Sequence, residues 1–145
     1  MKKSNKFSGL MKVALLSVLL VAMTGCSKGE EKQEVSDLGI GPVQKLELGA
    51  IDPAVARKGK ELYEAKCSAC HKIGEKYVGP DLKDVTKRRK PEWIMNMIMN
   101  PEEMTKKDPV AQELLATYYT QMTFQNLSEE EVRGILEYFR EIDSK

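Results

Sequence analysis

Apolar residues recur at helical spacing in the last part of the chain. Val132, Ile135, Leu136, Phe139 and Ile142 share one helix face. Ahead of them, Ser128-Glu129-Glu130-Glu131 sets Ser128 and Glu131 three apart, the spacing of a capping box. Trp93, Ile94, Met97 and Ile98 give a second apolar face, opened by Pro91 and closed by Asn100-Pro101. Asp52-Pro53 and Asp108-Pro109 each put an N-cap acid before a proline at the first helical position. The pattern predicts helices over about 53–66, 91–99, 109–119 and 129–142, with no hairpin or βαβ signature. The expected fold class is all-α, a small domain over residues 51–145.

The first half of the chain reads differently. Lys2, Lys3 and Lys6 precede an apolar stretch from Val13 to Ala22 broken only by Ser17. A bilayer crossing needs about 20 apolar residues, so this stretch is too short and reads as a secretory signal over residues 1–25. Residues 27–49 carry Glu30, Glu31, Glu34, Asp37 and Glu47, four glycines and Pro42, with no sustained period. Such a composition buries too little apolar surface to offset chain entropy, so residues 26–50 are expected to form a flexible tether. Its root-mean-square reach would be about 25–30 Å.

Composition narrows the class. At 145 residues, 41% hydrophobic and 31% charged, the chain suits one small domain. A mean hydropathy of −0.43 excludes a polytopic membrane protein, and near-balanced charge excludes a strongly basic nucleic-acid binder. Without residues 1–25 the 23 basic residues fall to 19 against 22 acidic, a net of −3, so charge would not hold the protein at an anionic membrane. Aromatics are only 6%, so the core is aliphatic or completed by something that is not protein. Three cysteines and one histidine are too few for a disulfide scaffold or a cysteine–histidine zinc site.

Those few residues carry the chemistry. Cys67-Ser68-Ala69-Cys70-His71 follows the first predicted helix and holds the only histidine. Two thiols spaced this way can add to the two vinyl groups of one haem while the next imidazole reaches the iron, which is the c-type haem attachment pattern. A zinc site lacks further ligands, a thioredoxin-like pair lacks its βαβ setting, and a structural disulfide is no better supported.

Two resemblances follow from these residues. Met23-Thr24-Gly25-Cys26 resembles the bacterial lipobox, although Leu is commoner where Met23 stands. That resemblance implies diacylglycerol on Cys26 and a lipid anchor, where an ordinary signal with a stray cysteine is the alternative. Residues 51–145 resemble a class I monohaem c-type cytochrome through Gly59…Leu62-Tyr63, the haem motif, Gly79-Pro80…Leu82, a downstream methionine and the closing Leu127-Ser128 helix with Tyr138-Phe139. The resemblance implies one covalent haem c on Cys67 and Cys70, His71 as iron ligand with its ring held by the Pro80 carbonyl, and close helix packing at Gly59. It also implies a methionine as the sixth ligand. Met122, 51 residues beyond His71 and before the capping box, fits that frame, with Thr123 where proline is usual. Met104 is the competing choice, while Met95, Met97 and Met99 read as helix packing or surface. Trp93 is a candidate donor to a haem propionate or else a core residue, with Tyr77, Arg88 and Arg89 weaker candidates for the same task.

A lone histidine excludes bis-His ligation, and one haem motif excludes di-haem peroxidase chemistry. No acid–base dyad, nucleophile triad or phosphate loop stands out, so the expectation is no enzyme. The expected function is a lipid-anchored extracytoplasmic electron carrier of a bacterial membrane, working between other redox proteins as a monomer or respiratory-complex subunit. A haem-based gas or redox sensor and an obligate subunit of a larger oxidase or reductase are the alternatives. Lys83, Lys87, Arg88, Arg89 and Lys90 form one basic cluster, either a solvated face or a docking patch for an acidic partner.

Overall fold

Proline sets most of the helix starts. The computed structural model describes residues 37–145, so the signal segment, Cys26 and the first part of the expected tether lie outside the described residues. In chain order the helices are α1 (Pro53–Lys66), α2 (Val85–Arg88), α3 (Pro91–Met99), α4 (Pro101–Lys107), α5 (Pro109–Tyr118) and α6 (Glu129–Asp143). Proline stands in the first turn of α1, α3, α4 and α5, where its missing N–H costs nothing. Asp52 caps α1 by accepting from Ala54 N at 2.8 Å, and Asp108 caps α5 by accepting from Ala111 N at 2.9 Å. The capping box of α6 closes in both directions between Ser128 and Glu131.

The fold is all-α, as expected, with no strand among the described residues. Two short helices add to the four expected. Pro101 ends α3 and at once opens α4, whose Glu102 and Glu103 at the start and Lys106 and Lys107 at the end complement the helix dipole. No side chain of its own caps α2. Its cap comes from the far end of the chain: Asp143 on α6 accepts from Asp84 N at 2.8 Å, Thr86 N at 3.0 Å and Thr86 Oγ1 at 2.7 Å. A cap supplied across 57 residues leaves no local signal.

Helices α1 and α6 cross at Gly59 and Gly134. A Cβ on Gly59 would overlap the Gly134 carbonyl, so only glycine permits this approach. Tyr63 meets Tyr138 and Phe139 beside the crossing, with ring centroids 5.5 and 5.8 Å apart.

The expected tether is corrected in its second part: residues 38–49 pack on the domain. Asn96 of α3 is fully buried and spends its amide on them, donating Nδ2 to the Leu38 and Val43 carbonyls at 2.8 Å each and accepting from Val43 N at 2.9 Å. Val43 is buried in the core, Leu46 N donates to Glu92 Oε1, and Arg133 and Arg140 of α6 donate to the Glu47 and Gly49 carbonyls. Glu137, itself buried, holds both arginines in place at 2.9 and 2.8 Å. A buried asparagine acts here as the receptor for backbone that composition alone reads as unfoldable.

Candidate functional site

The C-terminal end of α1 runs directly into the cysteines. Cys67 N donates to Tyr63 O at 2.8 Å as the helix cap, and the turn continues with Cys70 N and His71 N both donating to Cys67 O, at 3.0 and 2.9 Å. This brings Cys67, Cys70 and His71 to the wall of one cavity. Both thiols are free, Cys67 half-buried and Cys70 exposed. Burial, with the neighbouring Cys70, pushes the Cys67 thiol up to about 11. The Tyr63 hydroxyl donates to the His71 carbonyl at 2.8 Å, fixing the backbone of the motif to α1, and burial pushes that phenol up to about 12.

His71 is held from two sides. Its Nδ1 lies 3.1 Å from the Pro80 carbonyl oxygen. A carbonyl only accepts, so Nδ1 carries the proton and Nε2 keeps the lone pair needed for a metal. Burial lowers the imidazole below its usual 6.5, with the Pro80 bond opposing, so the ring is neutral at physiological pH. Gly79 backs the ring: a Cβ there would stand 2.6 Å from Cε1 and 2.9 Å from Nδ1. Gly79 N in turn donates to Cys70 O at 2.9 Å, which folds the Gly79-Pro80 turn back onto the motif.

The cavity has a volume of 690 Å³, within the range of about 300–1,000 Å³ usual for a cofactor or ligand site. Trp93, Ile94, Met97 and Ile98 of α3 line it, with Leu114 and Leu115 of α5, Phe139 of α6, and Met122 from the loop between α5 and α6. Met104 is not part of the wall. It is fully buried elsewhere, its sulfur accepting from Ile40 N at 2.9 Å. Trp93 Nε1 is buried without a hydrogen-bond partner among the described residues. A buried orphan donor on a cavity wall calls for an acceptor from whatever fills the cavity.

The basic cluster is largely occupied. Lys87 pairs with Asp84 at 2.7 Å and Lys90 with Asp37 at 3.3 Å. Arg88 donates to the Asp81 carbonyl at 2.8 Å, and the Arg89 guanidinium lies over the Trp93 ring, 5.3 Å from its centroid. Arg88 and Arg89 also border the cavity, while Tyr77 is exposed beneath the Lys72 ammonium and lies off the wall. No cluster of three or more His, Cys, Asp or Glu that could hold a metal ion exists among the described residues.

Residues 56–143 match the family model described as cytochrome c. This chain belongs to the cytochrome c family. Among curated proteins, cytochrome c-551 of Stutzerimonas stutzeri is 45% identical over 47 residues, 30% of this chain and 45% of that protein, so the match spans less than half of its length. Among solved structures, a cytochrome c from Rhodothermus marinus is 46% identical with a TM-score of 0.72, covering 74% of this chain and 94% of its own. A cytochrome c domain from Pseudomonas putida is 30% identical with a TM-score of 0.55, covering 60% of this chain and 89% of its own.

The cofactor of this cytochrome c is haem c, joined through Cys67 and Cys70. The residues fit it: paired thiols, a neutral imidazole with a free lone pair and a largely apolar cavity. The sequence reading overlooked Thr105 and Gln121, which border the same cavity beside Met122. Only a tertiary contact reveals them, because neither belongs to a motif. Met97 also reaches the wall, although its helical spacing with Trp93 already placed it on the inner face of α3.

Proposed function

We propose that this cytochrome c is a lipid-anchored extracytoplasmic electron carrier, with His71 and Met122 as the two residues that would hold the haem iron. The observation that supports it most is the convergence of Cys67, Cys70, His71 and Met122 on one cavity. When bound there, haem supplies a one-electron Fe(III)/Fe(II) couple. Pro80 fixes the His71 tautomer and ring plane, Gly79 leaves room for that ring, and Trp93 offers its buried N–H to a propionate. The apolar wall from α3, α5 and α6 excludes water, and a thioether ligand favours the reduced state. His71 and Met122 would together hold the iron and leave no coordination position for a substrate, so the chemistry supplied would be electron transfer. Donor and acceptor would be other extracytoplasmic redox proteins. Met23-Thr24-Gly25-Cys26 supports the lipid anchor, and no described helix is long and apolar enough to cross a membrane.

Two measurements test this reading. The spectrum of the reduced, haem-loaded protein should be unchanged by carbon monoxide, and Met122→Ala should bind it rapidly. Carbon monoxide binding to the unaltered protein would shift the reading to the sensor. For the anchor, Cys26→Ser should move the protein from the membrane fraction to the soluble extracytoplasmic fraction. Retention in the membrane would refute lipidation as the attachment, and co-purification with an oxidase or reductase would then favour the complex subunit.

A further inference from the structure

The Met122 loop lacks the proline that would stiffen it, with Thr123 in that place. Hydrogen bonds within the loop are otherwise local: Gln125 Nε2 bonds Thr123, and Thr120 bonds Tyr118. Gln121 is different. Its Nε2 donates to the Met122 carbonyl at 3.1 Å and lies 3.5 Å from the Pro101 carbonyl. Its Oε1 accepts from Thr105 Oγ1 at 3.0 Å. Thr105 is buried on α4 and borders the same cavity. Among the described residues, Gln121 thus makes the hydrogen bonds that tie residues 120–127 to α4, and it does so from the carbonyl of Met122 itself.

We propose that Gln121 and Thr105 form a latch that positions the Met122 segment against α4 and thereby sets how often Met122 leaves the iron. The inference rests on Met122 being the sixth ligand. Gln121 and Thr105 are positioning residues, since they act through Met122. The latch does the work that a proline does covalently, with the difference that a hydrogen bond can open. The Thr105 hydroxyl has a single proton, shared among the Gln121, Pro101 and Glu102 oxygens at 3.0, 3.0 and 3.1 Å, so the latch has a resting place to swing to when it releases.

The test uses the full haem-loaded protein in the ferric state, with imidazole as the competing ligand. Its association rate reports release of Met122. Gln121→Leu and Thr105→Val should each raise that rate by about 2- to 12-fold, the equivalent of one net hydrogen bond. Thr105→Ser keeps the hydroxyl and should restore the wild-type rate. Combining Gln121→Leu with Thr105→Val should add little to either alone, since both remove the same link. A purely structural role would lower global stability and leave imidazole association unchanged, which would overturn the latch. Met122→Ala separates the two ideas: it should bind imidazole fastest of all. If it binds only as fast as wild type, Met122 is not the ligand and the latch falls with it. If it binds fast while the latch variants match wild type, the latch alone is refuted.

Discussion

The crossing of α1 and α6 offers two glycines whose replacement by alanine should move stability in opposite directions. In an unobstructed helix, Gly→Ala gains about 0.8–1.0 kcal/mol. Gly134 is close to that case: an added Cβ meets the Gly59 Cα and N at 3.6 Å and the Val55 carbonyl at 3.7 Å, ordinary contact distances. Gly134→Ala should therefore stabilise the haem-loaded protein by about 0.5–1 kcal/mol. Gly59 is the reverse. Its Cβ would overlap the Gly134 carbonyl and come within 2.8 Å of Ile135 N, and these are backbone atoms that no rotamer change can move. Overpacking costs about 1–3 kcal/mol, and a backbone obstacle puts this case at or above the upper end. Backing α1 away from α6 also loosens Tyr63 from Tyr138 and Phe139. After the helix-propensity gain, Gly59→Ala should lose about 2–3 kcal/mol, a fall in Tm of about 10–20 °C for a domain of this size. Guanidinium unfolding followed by far-UV circular dichroism reads both variants. A Gly59→Ala protein within about 0.5 kcal/mol of wild type, or a Gly134→Ala protein equally destabilised, would refute the assignment of the clash to one side of the crossing.

Trp93→Phe removes the orphan N–H from the cavity wall. With haem bound it should lose about 1.5–3 kcal/mol of stability and shift the reduction potential, and an unchanged potential would return Trp93 to a packing role. Asn96→Ala should cost about 2–4 kcal/mol, the net worth of its three hydrogen bonds, and open residues 38–49 to protease. Resistance of that segment to cleavage in the variant would mean that its other contacts, Val43 in the core and the Arg133 and Arg140 bonds to the Glu47 and Gly49 carbonyls among them, hold it without Asn96. The Asp81 carboxyl is held below its usual 3.8, chiefly by the Lys83 N–H; burial opposes this, and the Gly74 N–H and the Arg88 and Lys83 cations add to the lowering. Its lowered folded value makes the stabilisation present above the ordinary carboxylate pKa and lost as pH falls through the folded one. Asp81→Asn should therefore weaken the protein at neutral pH, with the difference in urea midpoint closing in acid; a difference independent of pH would contradict the assignment.

What the sequence made legible follows from how local each signal is. The Asp-Pro pairs and the Ser128–Glu131 box are complete within four residues, and they mark α1, α5 and α6 to within a residue or two. The haem motif needs five residues and carries its chemistry with it. By contrast, α2 depends on Asp143, and the Gly59 crossing needed Gly134 as its partner, neither of which periodicity marks. Choosing between Met122 and Met104 rested on family likeness; in the structure Met104 is buried against Ile40 and Met122 lies on the cavity wall.

The packing of residues 38–49 has a consequence for the proposed anchor. As a free chain, residues 26–50 would let the domain range widely from a lipidated Cys26. Leu38 is fixed to Asn96 and Asp37 is paired with Lys90, so a lipidated Cys26 would stand 11 residue steps from the docked segment. Fully extended, that is at most about 40 Å, against about 85 Å for the chain from Cys26 to Ala50. The same segment backs the cavity, because Gly39 lies against both Met104 and Trp93. The reach of the proposed anchor and the setting of Trp93 on the cavity wall are thus tied to one element. Asn96→Ala should alter both together: a longer reach, read as faster electron exchange with a membrane-bound acceptor held at a distance, and a shifted reduction potential. A change in one without the other would separate the two roles and show that the contact of Gly39 with Trp93 does not set the site.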